Sequence, residues 1–194
     1  MKIMIASDIH GSAKYLDMLL DCYRSEKPDK FVLLGDILYH GPRNDLPEGY
    51  NPKEVISKLN AIRENILCVR GNCDTEVDQM VLEFPILADY AFFYYEETMI
   101  FITHGHQYNT DNPPMLKKGD VLLHGHTHIP VHKVFGHNIY INPGSVSIPK
   151  EDSPHGYMVF TDGEFIWKDL EQKEYDRFKL DRKQTNRKNR RHKQ

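Results

Sequence analysis

The 194 residues are 40% hydrophobic and 27% charged, enough chain for one domain with a full core. The net charge of −3 conceals a split: the last 13 residues hold seven of the 25 Lys and Arg and no acid, leaving 18 basic against 28 acidic side chains in 1–181, a net of −10. An acidic body argues against a folded nucleic-acid-binding stripe, Ser7-Asp8 cuts off the apolar start that a signal peptide would need, and no run approaches the roughly 20 apolar residues of a membrane span.

In chain order, K-I-M-I-A (2–6) reads as a buried strand ending at Ser7-Asp8-Ile9-His10-Gly11. Leu16, Leu19, Leu20 and Tyr23 then fall at helical spacing over 13–23. K-F-V-L-L (30–34) is a second strand ending at Gly35-Asp36, and 37–50 is a loop rich in Gly, Pro and Asn. Asn51-Pro52-Lys53-Glu54 has the N-cap, first-turn proline and capping acid of a helix start. I-L-C-V-R (66–70) is a third strand, closing at Gly71-Asn72-Cys73-Asp74, with a short helix to follow. From Tyr90 onward strands dominate, at 99–103, 120–124, 138–142, 157–160 and 164–167, joined by turn residues. Alternating strand and helix followed by strands alone predicts two packed sheets with helices outside. One domain spans 1–181, and the basic stretch 182–194 is expected as a disordered tail, with nucleic acid or an acidic partner as its lesser use. Cys22, Cys68 and Cys73 are odd in number and lack a framework spacing, which favours reduced thiols and a cytoplasmic location.

Five strand ends carry similar punctuation: D-I-H at 8–10, G-D at 35–36, G-N-C-D at 71–74, H-G-H at 104–106 and H-G-H-T-H at 124–128. Each alone has an ordinary explanation, such as a helix cap, a turn or a core histidine. Together, at the carboxyl ends of strands, they would converge on one patch. Carboxylate, amide oxygen and imidazole suit manganese, iron or zinc better than copper or magnesium.

In this order the motifs resemble the calcineurin-like metallophosphoesterase superfamily, and T-H-G-H at 103–106, H-G-H-T-H at 124–128 and I-N-P-G-S-V-S-I-P at 141–149 resemble its bacterial YfcE-type phosphodiesterases. The resemblance covers about residues 1 to 170. It implies an α/β (α+β) fold, a four-layer α/β/β/α sandwich of two mixed sheets flanked by helices. It also implies two divalent ions, manganese first and zinc, iron or nickel as alternatives. Asp8, His10 and His128 would bind one, Asn72, His104 and His126 the other, and Asp36 both. The implied reaction is phosphodiester hydrolysis by in-line attack of a metal-bridging hydroxide, with a small phosphoester as substrate. Period two along an extended strand would turn His126 and His128 to the same side. Gly11, Gly35, Gly71, Gly105 and Gly125 would allow close approach beside the ligands. Asp74 would orient a ligand, His106 would contact phosphate, His124 would pack, and 141–149 would line the rim. Cys73 stands where many relatives have the histidine that protonates the leaving group, and a thiol is a poor donor at neutral pH. Substrate choice would rest on the loops 37–50 and 107–118. Alternatives are a retromer-subunit-like protein-binding scaffold, which the full ligand set disfavours, and a nuclease or phosphomonoesterase using the same centre. The aromatic run 92–95 offers a surface for self-association.

Overall fold

The computed structural model describes residues 1–180, and the stretch 182–194 lies outside them. Its strands are β1 (Lys2–Ala6), β2 (Lys30–Leu33), β3 (Ile66–Cys68), β4 (Tyr90–Tyr95), β5 (Thr98–Thr103), β6 (Val121–Leu123), β7 (Val131–Phe135), β8 (Asn138–Asn142), β9 (Gly156–Thr161), β10 (Glu164–Asp169) and β11 (Glu174–Lys179). The helices are α1 (Ala13–Glu26), α2 (Pro52–Asn60) and the single turn α3 (Glu76–Gln79). The first sheet runs β11-β10-β9-β1-β2-β3 and the second β4-β5-β6-β8-β7. Both are mixed: β1, β2 and β3 are parallel while β9 is antiparallel to β1, and β5, β6 and β8 are parallel while β4 and β7 are antiparallel neighbours.

Period two explains the layering. Along β1, Met4 and Ala6 face the helices, and Ile3 and Ile5 face the second sheet. In β2, Phe31 and Leu33 take the helix side and Val32 the intersheet side. α1 covers the outer side with Leu16, Leu19 and Leu20, capped at its start by Ser12, whose hydroxyl accepts from Tyr15 N. Asn51 caps α2 in the same way through Glu54 N, which secures the start read from Asn-Pro-Lys-Glu. Leu16 and Leu19 are both fully buried, and each such side chain stabilises by roughly 1.5–3 kcal/mol. Between the sheets, Ile100, Ile102, Val121, Leu123 and Ile141 meet Met158, Phe160, Phe165 and Trp167.

The two-sheet sandwich and the helices on its first face agree with the expected fold. Between β5 and β6, residues 104–119 are irregular chain, in keeping with the loop expected at 107–118. Tyr108 from this segment meets Tyr90 and Phe101 edge-on at centroid distances of 6.4 and 5.8 Å. Pro113-Pro114 and Gly119 explain the irregularity, because consecutive prolines remove two helix donors and lock φ. Three strands carry no clear sequence signal. β4 is almost wholly aromatic, β11 alternates charges, and β7 holds only two aliphatic residues. The 92–95 run alternates instead of forming one rim. Phe92 and Tyr94 are exposed, while Phe93 and Tyr95 pack against Phe160 at 5.4 and 5.5 Å.

Candidate metal centre

β1, β2, β3, β5 and β6 all end on one side, and each feeds polar residues into the same space. Asp8, His10, Asp36, His104 and His128 are buried there, whereas Asn72 and His126 are more open. The inward nitrogens and oxygens crowd together. His10 Nε2 lies 3.4 Å from His128 Nε2, and His104 Nε2 lies 3.1 Å from both Asn72 Oδ1 and His126 Nδ1. Asp8 Oδ1 sits 3.2 Å from His128 Nε2 and 3.6 Å from His10 Nε2. Asp36 Oδ2 stands between the two groups, 3.4 Å from His104 Nε2 and 3.7 Å from His10 Nε2.

The outward ring nitrogens explain the orientation. Nδ1 of His10, His104 and His128 each donates at 2.7 Å to a main-chain carbonyl, those of Tyr39, Leu34 and Ile148. A carbonyl only accepts, so Nδ1 carries the proton and leaves the Nε2 lone pair aimed inward. That tautomer is the one a metal-binding imidazole needs. Asp8 Oδ1 is buried without a hydrogen-bond partner, an expensive state that a cation would relieve. Donor atoms of Asp8, His10 and His128, and of Asp8, Asp36 and His104, fall within 4.8 Å of one another. Oxygen and imidazole in these clusters fit divalent cations of the manganese-to-zinc series.

The charges respond to this crowding. Burial acts to raise the Asp8 carboxyl, but the imidazoles of His10 and His128 beside it hold it well below the usual carboxylate range. Burial acts to lower His104, yet the Asp36 carboxylate beside it and the Asp8 charge lift it to about 9. His126 is pushed down to about 4 by burial and by the neighbouring His104. A cation at this place would displace the His104 proton, so affinity for metal should rise with pH up to about 9.

Backbone strain accompanies the donors. Asp8, His10, Asp36, His126 and His128 all take left-handed φ, from 48° to 66°. Non-glycine residues held there mark sites where surrounding structure dictates conformation. This corrects the extended geometry expected at 126–128. His126 and His128 have φ of 66° and 62°, and Thr127 N donates to Gly125 O at 2.7 Å, so a tight turn aims the two rings, not a pleat. None of the five predicted glycines has room for a Cβ, and two are the tightest. A Cβ on Gly71 would lie 2.1 Å from Asp36 Oδ1, and one on Gly125 would lie 1.9 Å from Ser7 Oγ.

Asp74 supports the centre through backbone: its carboxylate accepts from Asp36 N at 2.8 Å, Ile37 N at 2.9 Å and Gly71 N at 2.7 Å. Cys73 N donates to Asp36 Oδ1 at 2.8 Å, and burial and the Asp36 charge push the Cys73 thiol far up. His106 stands beside the rings, 5.5 Å from His104 and 6.3 Å from His126 by centroid, with Nδ1 unpartnered. His124 stacks on Tyr140 at 4.3 Å and bonds Gly125 O through Nδ1, a packing place.

Several supporting residues escaped sequence reasoning. Ser7 Oγ donates to Asp8 Oδ2 at 2.5 Å, and Ser145 and Ser147 both donate to Asp8 O at 3.0 Å. Asn142 Nδ2 bonds Gly125 O at 2.8 Å. The 141–149 segment therefore holds the centre's backbone as well as edging it, and a sixth strand end, that of β8, joins the other five. Its signal was present in the polar run Asn-Pro-Gly-Ser-Val-Ser. An open cleft of about 490 Å³ lies over the donors, and Arg43, Asn44 and Lys150 line it along with Asp36, Asn72 and His126.

Residues 1–163 match the family model described as the calcineurin-like phosphoesterase superfamily domain. The phosphodiesterase YfcE of Escherichia coli K12 is 48% identical over 157 residues, 81% of this chain and 85% of that protein. A phosphodiesterase of Methanocaldococcus jannaschii is 26% identical over 152 residues, 74% of this chain and 83% of that one. The solved structure of the E. coli phosphoesterase Yfce superposes with a TM-score of 0.89 at 43% identity, over 93% of this chain and 100% of that one. Vacuolar protein sorting 29 from Cryptosporidium parvum shares the fold at a TM-score of 0.58 and 18% identity, over 92% of this chain and 97% of that one.

Proposed function

Because the chain belongs to the calcineurin-like phosphoesterase superfamily and is a metal-dependent phosphoesterase, we propose that it hydrolyses phosphodiesters at a two-metal centre. Asp8, His10 and His128 would hold one divalent cation, Asn72, His104 and His126 the other, and Asp36 both. Manganese leads the candidates. When bound, such cations lower the pKa of a water and offset charge on the phosphoryl oxygens.

The observation that carries this reading is the set of three imidazoles whose outer nitrogens are fixed by carbonyls at 2.7 Å. A shared cation would account for these ring nitrogens turned toward one another. The chain's own groups complete the chemistry. Arg43 and Lys150 at the cleft draw an anionic ester against an acidic body. Asp74 fixes the backbone of Asp36 through three N–H groups. His106, 5.5 Å from His104 by ring centroid, would contact phosphate. Cys73, its thiol held in the neutral form by burial, gives a leaving group little help.

Asp36→Asn should lower hydrolysis of bis(p-nitrophenyl) phosphate by more than about 10²-fold, beyond the 10–100-fold typical of an outer partner. Circular dichroism should stay unchanged. Chelation should silence the native protein, and manganese should restore it. Full turnover after chelation and dialysis would overturn the reading.

A further inference from the structure

The metal cleft is not the only concavity at this end. A groove of about 370 Å³ lies on the other side of Cys73 and shares that residue with the cleft. The chemistry of the two differs sharply. Arg43, Asn44 and Lys150 line the cleft, whereas Tyr39, Tyr50, Ile56, Val77 and Val81 line the groove. Thr75 and Asp78, the groove's polar side chains besides the tyrosine hydroxyls, are occupied with each other: Asp78 Oδ2 accepts from Thr75 N at 2.8 Å and from its hydroxyl at 2.9 Å.

We propose that this groove is the subsite for an apolar arm, aryl or alkyl, of the phosphoester. The inference rests on the proposed reaction, and it names the class of substrate. Three observations carry it. First, position: Tyr39 O accepts from His10 Nδ1 at 2.7 Å and Cys73 N donates to Asp36 Oδ1 at 2.8 Å, so both walls are continuous with the centre. An ester arm leaving phosphorus toward Cys73 passes from one cavity straight into the other. Second, exposure: Val77 is 69% exposed, Val81 43% and Tyr39 43%, a contiguous apolar surface that water solvates poorly. Third, charge: among the described residues no Lys or Arg lines the groove, and Asp78 would repel an anion, so the arm is uncharged. The second ester arm, or the free phosphoryl oxygen of a monoester, stays with Arg43 and Lys150. The preferred substrate is thus two-sided, apolar past Cys73 and polar or anionic at the opposite lip.

The test is calorimetric binding of inorganic phosphate, butyl phosphate, hexyl phosphate and octyl phosphate to the manganese-loaded protein. Burial of each methylene contributes at most about 0.8 kcal/mol, near fourfold in affinity. The Kd should therefore fall about two- to fourfold per methylene until the groove is filled. In the Val77→Asn, Val81→Asn double variant the series should flatten by about tenfold at octyl phosphate. Inorganic phosphate, which has no arm, should bind both proteins alike. The same preparations are assayed for hydrolysis of bis(p-nitrophenyl) phosphate. A flat series in active protein overturns the groove alone. An inactive protein whose affinity still climbs with chain length overturns the proposed reaction alone, and a flat series in inactive protein overturns both. A climb that survives the double variant unchanged also overturns the groove.

Discussion

Cys73 is a residue of this centre ill suited to donate a proton to a leaving group. A thiol ordinarily titrates near 8.5, and here burial and the carboxylates of Asp36 and Asp74 push it further up. Such a group is a weak proton donor to a departing alkoxide. General acid catalysis is typically worth about 10²–10⁴-fold, and a p-nitrophenolate scarcely needs it. Cys73→His should therefore raise turnover of alkyl phosphodiesters by about tenfold or more while changing aryl phosphodiesters much less, measured at matched metal occupancy. Equal changes in the two would show that this position does not set leaving-group preference. Residue types at strand ends made the convergence of five polar segments readable from sequence, and the resemblance to the family supplied the seven proposed donors among them. The tautomers were not readable, because they depend on carbonyls of Tyr39, Leu34 and Ile148 that carry no side-chain signature.

At the scale of elements, the loop after β8 is bolted to the loop after β1. Ser145 Oγ donates to Asp8 O at 3.0 Å and accepts from Ile148 N at 2.9 Å, and Ile148 O in turn fixes the His128 ring. Removing that hydroxyl leaves a buried N–H and a buried carbonyl each one partner short. Ser145→Ala should cost about 1–3 kcal/mol in urea unfolding of the metal-free protein, and it should weaken manganese binding by loosening His128. An unchanged midpoint with unchanged affinity would reduce the segment to a simple turn. Strands and helices with a clear period were legible, as at β1, β2, α1 and α2. β4 and β11 were not, because the one lacks a polar alternation and the other is an exposed edge whose charges pair, Arg177 with Glu174 along the strand and with Glu164 across to β10.

For the whole molecule, the order of strands and helices predicted two sheets, and the proline pair at 113–114 keeps the loop between β5 and β6 out of a helix. The position of the donors across the two sheets has a further consequence. Asp8, His10, Asp36 and Asn72 follow strands of the first sheet, whereas His104, His126 and His128 follow strands of the second. Neither half of the sandwich carries all seven proposed donors, so a cation held by them would be a clasp across the seam between the sheets. A ligand held only by the native state stabilises it by about 2.7 kcal/mol at 100 times its Kd. Adding manganese should then raise the melting midpoint steadily with the logarithm of its concentration. Far-ultraviolet dichroism and the fluorescence of Trp167, buried in the seam, should report the same transition. A midpoint indifferent to metal would mean that the clasp does not close. With such a clasp, the supply of a trace element would govern how long the fold survives as well as how fast it works.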